Sequence, residues 1–170
     1  ITAANVVNLV RIAQFQKDVY RVEWDRDGKQ VGLLEYNKQL DVYPPLAEQP
    51  VRSLGAGQRV LGFDFGPDAN TIATVDFSAN LTVHDIADGK ELLIPLGSMS
   101  YNVKFSPDGK LLVTAGYGTT AFLWNAANGE CIREFALGRQ EGGLTPAFSP
   151  DGKVLAVGNR NSTTGLFEVS

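Results

Sequence analysis

The sequence predicts an all-β fold made of four tandem copies of one four-stranded antiparallel unit. Three observations carry this expectation. A short bend recurs, as KFSPDGKLL from Lys104 to Leu112 and as AFSPDGKVL from Ala147 to Leu155. Two internal offsets are held in every copy. Apolar and polar residues alternate with the period of two expected of a strand.

The bend has two more relatives, WDRDGKQVG from Trp24 and FGPDANTIA from Phe65. The leading aromatics Trp24, Phe65, Phe105 and Phe148 are spaced 41, 40 and 43 residues apart. Twelve residues after each stands Tyr36, Phe77, Tyr117 or Arg160, and nineteen after each stands Tyr43, His84, Trp124 or Phe167. A period near 40 residues that keeps both offsets through four copies marks a repeat architecture.

The elements of one copy follow in order. Tyr20, Val22 and Trp24 alternate with Arg21 and Glu23; Leu61, Phe63 and Phe65 alternate with Gly62 and Asp64; Tyr101, Val103 and Phe105 alternate with Asn102 and Lys104. These are the first strands. The bend follows, where Pro107 presets φ, Asp108 caps the turn and Gly109 supplies positive φ. A second strand (LLVTAGY, VLAVGNR), a short turn and a third strand (TTAFLWN, TTGLFEV) come next. The turns AANGE and IADGK lead into a fourth strand, CIREFAL or ELLIPLG. Four strands in roughly 41 residues, with no helical stretch, are the dimensions of one β-propeller blade.

The stretch FSPDGKLLVTAGYGTTAFLWNAANGECIREF resembles a whole repeat of the WD-repeat family of β-propellers, with Trp124 at the Trp of the signature dipeptide. The resemblance covers residues 9 to 170 and is strongest in the third copy. The departures are specific. The Trp position is Tyr43, His84, Trp124 and Phe167, and only His84–Asp85 keeps the acid after it. The family's turn Asp aligns with Asn37, Ser78, Gly118 and Asn161, and no copy has the His that precedes the first strand. The family's buried hydrogen-bond network is therefore expected to be missing.

The repeats run over about 16–55, 56–96, 97–138 and 139–170 of a single propeller domain spanning 1–170. The last copy stops after its third strand, and NLVRIAQF, Asn8 to Phe15, resembles a fourth strand. Residues 8–15 are thus expected to complete the last blade, giving four blades with one split between the two ends. Three closures stay open: two copies forming an eight-bladed ring, a piece of a longer propeller, or four blades closing alone.

Charge and composition narrow the function classes. Acidic residues outnumber basic ones 19 to 15, so nothing here is the electrostatic footprint of a nucleic-acid or membrane binder. The opening ITAANVVNLV lacks the basic and apolar regions of a secretory signal. The single Cys131 excludes an intrachain disulfide and fits a reducing compartment; a cytoplasmic location is the expectation.

No enzyme signature emerges. His84 and Cys131 lie on different strands with no motif around either, and His84 at the Trp position reads as a buried blade residue. DRDGK lacks the later acidic ligands of a calcium loop. LGAGQRVLG has Val60 at the third glycine of a dinucleotide fingerprint and no helix after it. The sequons at Asn80 and Asn161 are discounted without a signal peptide, and YPPLAEQP reads as a stiff loop. No cofactor and no metal are expected.

In a four-strand meander the bends after strands one and three lie on one face, and those after strands two and four on the other. The second face carries Tyr36, Phe77, Tyr117 and Arg160 at equivalent positions around a channel mouth, with Arg59, Met99 and Arg139 in the loops beside them, together with Lys17, Ser100 and Gln140. Tyr and Arg are enriched in binding hot spots. The same positions also suit packing on an adjacent blade. The resemblance implies a non-catalytic scaffold that docks a protein or peptide on this face, as part of a larger sensor protein or with a second copy or companion chain completing the ring. The alternative is a small-ligand or catalytic propeller with a site in the channel, where Glu23, Asp64 and Lys104 could converge.

Overall fold

A computed structural model describes residues 14, 16–136, 144–158 and 164–169. These form fifteen strands in four antiparallel sheets, each a meander in chain order. The first sheet holds β1 (Val19–Trp24), β2 (Val31–Glu35), β3 (Leu40–Tyr43) and β4 (Arg52–Leu54). The second holds β5 (Val60–Phe65), β6 (Thr71–Asp76), β7 (Asn80–Asp85) and β8 (Glu91–Pro95). The third holds β9 (Ser100–Phe105), β10 (Leu111–Gly116), β11 (Thr120–Asn125) and β12 (Cys131–Ala136). The fourth holds β13 (Thr145–Phe148), β14 (Val154–Gly158) and β15 (Thr164–Glu168). The segment 8–15 assigned from sequence to the fourth sheet lies outside the described residues, Gln14 excepted.

The offsets in the sequence are cross-strand rows. Trp24 pairs with Val31 and Val31 with Tyr43; the same row reads Phe65–Ile72–His84, Phe105–Leu112–Trp124 and Phe148–Leu155–Phe167. Residues in one row share a face of the sheet. The period of two then makes each sheet two-faced, and the faces meet between sheets. Leu34, Leu40 and Val42 of the first sheet pack with Phe63, Phe65 and Ile72 of the second. Ala73, Val75 and Leu81 pack with Val103, Phe105, Leu112 and Trp124 of the third. Val113, Ala121 and Leu123 pack with Leu155 and Val157 of the fourth.

The bends stack in the same sequence. A Cβ on Gly109 would come within 2.7 Å of the Pro67 ring, and one on Gly152 within 3.5 Å of Pro107. Within the bend, Ser106 Oγ donates to Asp108 Oδ1 at 2.6 Å and accepts from Leu111 N, and Ser149 repeats both bonds with Asp151 and Val154. The first bend differs. Asp25 stands at the serine position and accepts from Lys29 N at 2.8 Å, which leaves its Oδ2 buried without a hydrogen-bond partner.

The His and turn Asp of the family's network are absent from the sequence, yet two of the four sheets keep a buried hydrogen bond at the Trp position. Trp124 Nε1 donates to Thr114 Oγ1 at 2.9 Å, and His84 Nε2 lies 2.9 Å from Thr74 Oγ1, all four residues buried. Thr74 and Thr114 are equivalent second-strand positions. The other two sheets carry Leu33 and Val157 there, packed in one cluster with Tyr43 and with Phe167, so apolar packing takes the place of the bond.

Among the described residues the sheets do not close into a ring. The outer face of the first sheet leaves Val22 and Trp24 exposed, Trp24 by 57%. The outer face of the fourth leaves Val154 and Leu166 exposed, Leu166 by 71%. The middle-sheet equivalents of Val22 and Trp24, which are Phe63, Phe65, Val103 and Phe105, are buried by a neighbouring sheet, as is Leu123, an equivalent of Leu166.

The inner strands of the second and third sheets approach closely. A Cβ on Gly62 would lie 2.2 Å from the Tyr101 carbonyl oxygen, which is backbone and cannot step aside. Gly62→Ala is therefore expected to cost about 1–3 kcal/mol, read as a fall of several degrees in melting midpoint. Gly118→Ala, where the nearest atom is 3.9 Å away, is the control and should leave the midpoint nearly unchanged.

Candidate functional site

The meander places the β2–β3, β6–β7 and β10–β11 turns on one face, together with the connections β4–β5 and β8–β9. Tyr36, Phe77 and Tyr117 each follow the last residue of a second strand, on that face. All three are exposed, by 68%, 45% and 57%. Arg160 and Arg139, with Gln140, lie outside the described residues.

What holds two of the three exposed rings is a bulge that the sequence pattern does not show. The first strands skip a residue in their ladders at Tyr20, Leu61 and Tyr101, three equivalent positions. A bulge turns a side chain out of strict alternation. Tyr20 is thereby aimed under Tyr36, with ring centroids 5.5 Å apart, and its hydroxyl donates to the Leu61 carbonyl of the next sheet at 2.6 Å. Tyr101 meets Tyr117 edge-to-face at 4.8 Å, and its hydroxyl donates to Met99 Sδ at 3.0 Å. In the second sheet the bulged residue is Leu61, which is buried, and the Arg59 guanidinium covers Phe77 at 4.3 Å from the ring centre. Each ring thus packs on residues of its own sheet.

The structure adds Tyr20, Tyr101 and Lys38 to the residues picked from sequence. Lys38 Nζ lies 4.0 Å over the Tyr20 ring, and its carbonyl accepts from Val60 N at 2.9 Å, which sets Lys38 beside Arg59 at the junction of the first two sheets. Lys38 adopts φ of 73° in the hairpin turn. Neither feature is visible in a period or an offset. Lys17 is engaged elsewhere, in ion pairs with Glu35 and Asp41, and Ser100 is buried. Beside Tyr117 a cavity of about 250 Å³ opens among Ser98, Met99, Ser100, Gly116, Thr119 and Thr120.

Lower in the channel, Glu23, Asp64 and Lys104 do converge. They occupy the same position on β1, β5 and β9. Lys104 Nζ donates to Glu23 at 2.9 and 3.0 Å and to Asp64 Oδ1 at 2.7 Å. Arg21 donates to Glu23 Oε1 at 2.7 Å, and Phe105 N donates to Asp64 Oδ2 at 2.8 Å. Two cations meet two carboxylates, so the cluster is neutral and its charges are spent on one another. The fourth equivalent is Ala147, so three sheets take part. Burial pushes the Asp64 carboxyl up to about 6 against the pull of Lys104. Burial also pushes Glu23 up, but Arg21 and Lys104 together hold it below the usual carboxylate range.

His84 is a structural residue. Glu91 Oε1 lies 2.9 Å from Nδ1 and can only accept, so Nδ1 carries the proton and Nε2 accepts from Thr74. Burial lowers its pKa, which keeps the ring neutral at neutral pH. Two larger cavities, about 430 and 660 Å³, open toward the bends, the first against Arg26, Pro107 and Phe148 and the second against Pro67, Phe105 and Leu111.

With this geometry in view, residues 98–125 match the family model described as WD domain, G-beta repeat. Residues 98–125 form a WD repeat. The matched residues span β9 to β11 and contain the Trp124–Thr114 bond. The other three sheets keep its register with other residues at the Trp position. No curated protein matches the chain. WD repeats serve in general as protein-interaction scaffolds.

The Asp64 carboxyl has a pH signature. Its folded value of about 6 lies above the ordinary value near 3.9. Between these the folded state binds the proton more tightly, so this group's contribution to stability falls as pH rises from about 4 to about 6. Asp64→Asn removes that fall. The variant should therefore gain on the wild type by roughly 2 kcal/mol across the window, measured by urea unfolding at a series of pH values. A pH-independent difference would mean that Lys104 keeps Asp64 ionised throughout.

Proposed function

We propose that this protein is a non-catalytic scaffold that docks a protein or peptide across the channel-mouth face. The observation that carries this is the set of three exposed aromatics, Tyr36, Phe77 and Tyr117, each braced from below by Tyr20, Arg59 or Tyr101. Rings held in place before contact lose little freedom on binding, so more of the contact energy is available for affinity. The charged channel cluster supports a scaffold over a catalytic channel, because its carboxylates and cations already bind one another across three blades. Arg160 and Arg139 belong to the same proposed face by sequence.

Peptides selected on the folded chain by phage display test the reading. The triple variant Tyr36→Ser, Phe77→Ser, Tyr117→Ser should weaken the selected peptides at least tenfold, as expected of hot-spot side chains. Its melting midpoint should stay close to that of the wild type, since all three rings are exposed. Peptides that bind both proteins equally would place docking elsewhere.

The open outer faces favour a further element of the same reading. Val22 and Trp24 at one end are equivalents of the buried Phe63 and Phe65, and Leu166 at the other is an equivalent of the buried Leu123. Burial of one such side chain contributes about 1.5–3 kcal/mol. Further blades, from a second copy or a companion chain, would cover them. Light scattering at several concentrations checks this: a stable mass near twice 18.3 kDa supports a second copy, and a folded monomer at all concentrations counts against it.

A further inference from the structure

The two faces of the arc handle charge differently. On the bend face Lys29, Lys90 and Lys110 each pair with an aspartate of their own turn, Asp27, Asp88 and Asp108. At the mouth, Arg59 and Lys38 have no carboxylate at ion-pair distance among the described residues. Each lies instead over an aromatic face, Arg59 on Phe77 and Lys38 on Tyr20. The acids of this rim are engaged elsewhere. Glu35 binds Lys17 and accepts from Asn37, and Asp76 is buried with its carboxylate on the amides of Ser78 and Asn80. Asp18 accepts from Tyr36 N through its backbone carbonyl.

A guanidinium over a ring uses its face and keeps its N–H donors for a ligand, and an ammonium over a ring keeps the N–H donors that do not point at it. The bond from Val60 N to the Lys38 carbonyl brings the two cations to one blade junction. From there the rim passes Phe77 to Tyr117 and the cavity of about 250 Å³ lined by Ser98, Met99 and Thr120. Its hydroxyls, thioether and glycine edge suit an uncharged side chain.

We propose that the docked segment is acidic: a peptide whose carboxylates pair with Arg59 and Lys38, while an apolar or aromatic side chain enters the cavity beside Tyr117. This rests on the mouth being the docking face. The overall negative charge of the chain opposes a long polyanion, whereas one or two carboxylates need only the local pair of cations.

The test uses a phage-displayed random peptide library on the intact chain, followed by anisotropy titrations of selected peptides labelled with a fluorophore. The expected result is enrichment of Asp and Glu on one side of an apolar or aromatic residue. Binding should fall about fivefold or more in Arg59→Gln and in Lys38→Gln, weaken with added salt, and partly recover in Arg59→Lys. Melting midpoints of the three variants guard against a folding defect. Neutral or basic peptides that depend on Tyr36, Phe77 and Tyr117 but not on Arg59 would overturn the acidic assignment and leave the mouth as docking face. Peptides indifferent to all of these residues, or no selected peptide, would overturn both. Equal binding of an oligothymidine strand would reduce the cations to unselective anion attraction and overturn the assignment as well.

Discussion

A single four-stranded sheet has no interior, so each buried side chain in this chain is buried by the sheet next to it. That constraint organises the rest. It requires both faces of every sheet to be apolar along the rows, which explains why Leu34 and Val42 look toward the second sheet while Val31 and Leu33 look the other way. It also requires the inner strands to come close. Gly62 against the Tyr101 carbonyl, Tyr20 to the Leu61 carbonyl and Asn102 to the Leu144 carbonyl are three solutions at successive junctions. Stability in such an array is a sum over neighbouring pairs, and the exposed Trp24 and Leu166 mark where the sum stops.

The recurring SPDGK bend is part of the same constraint. Its serine and aspartate satisfy the turn amides locally, so the bend needs nothing from outside. Its glycine and proline then stack bend on bend between blades. A segment held in this way has little freedom to vary and its charges are self-paired. The opposite turns carry no such burden, which leaves their side chains available for contacts. The bulges at Tyr20, Leu61 and Tyr101 couple the two demands: one residue leaves the ladder, reaches across the junction or supports an exposed ring, and the strand below resumes its register.

The channel cluster shows how a charged group can fasten blades instead of reacting. Lys104 ties β9 to β1 and β5 at once, and the partners neutralise each other. Ion pairs of this kind carry a desolvation penalty that offsets much of their attraction, which is visible in the raised pKa of Asp64. Their value lies in geometry: a three-blade contact at one point fixes the angle between inner strands, and the mouth above inherits that angle.

Much of this was legible in the sequence because it depends on local period. The strand count, the offsets of twelve and nineteen residues, the bend and the sidedness of the turns all follow from alternation and loop chemistry. So does the placement of Tyr36, Phe77 and Tyr117 on one face. What the sequence could not show depends on distances between residues far apart in the chain. The bulges leave alternation nearly intact; the stacking of Lys38 on Tyr20 and Arg59 on Phe77 needs the turn geometry; and the Thr74–His84 and Thr114–Trp124 bonds need two strands side by side. The convergence of Glu23, Asp64 and Lys104 was suggested by their equal positions, but only the approach of three blades made them one cluster. Sequence by itself determined the repeating unit, because a strand's period is written residue by residue. The tertiary structure alone decided which equivalent residues touch, because that depends on how closely, and at what angle, one blade packs on the next.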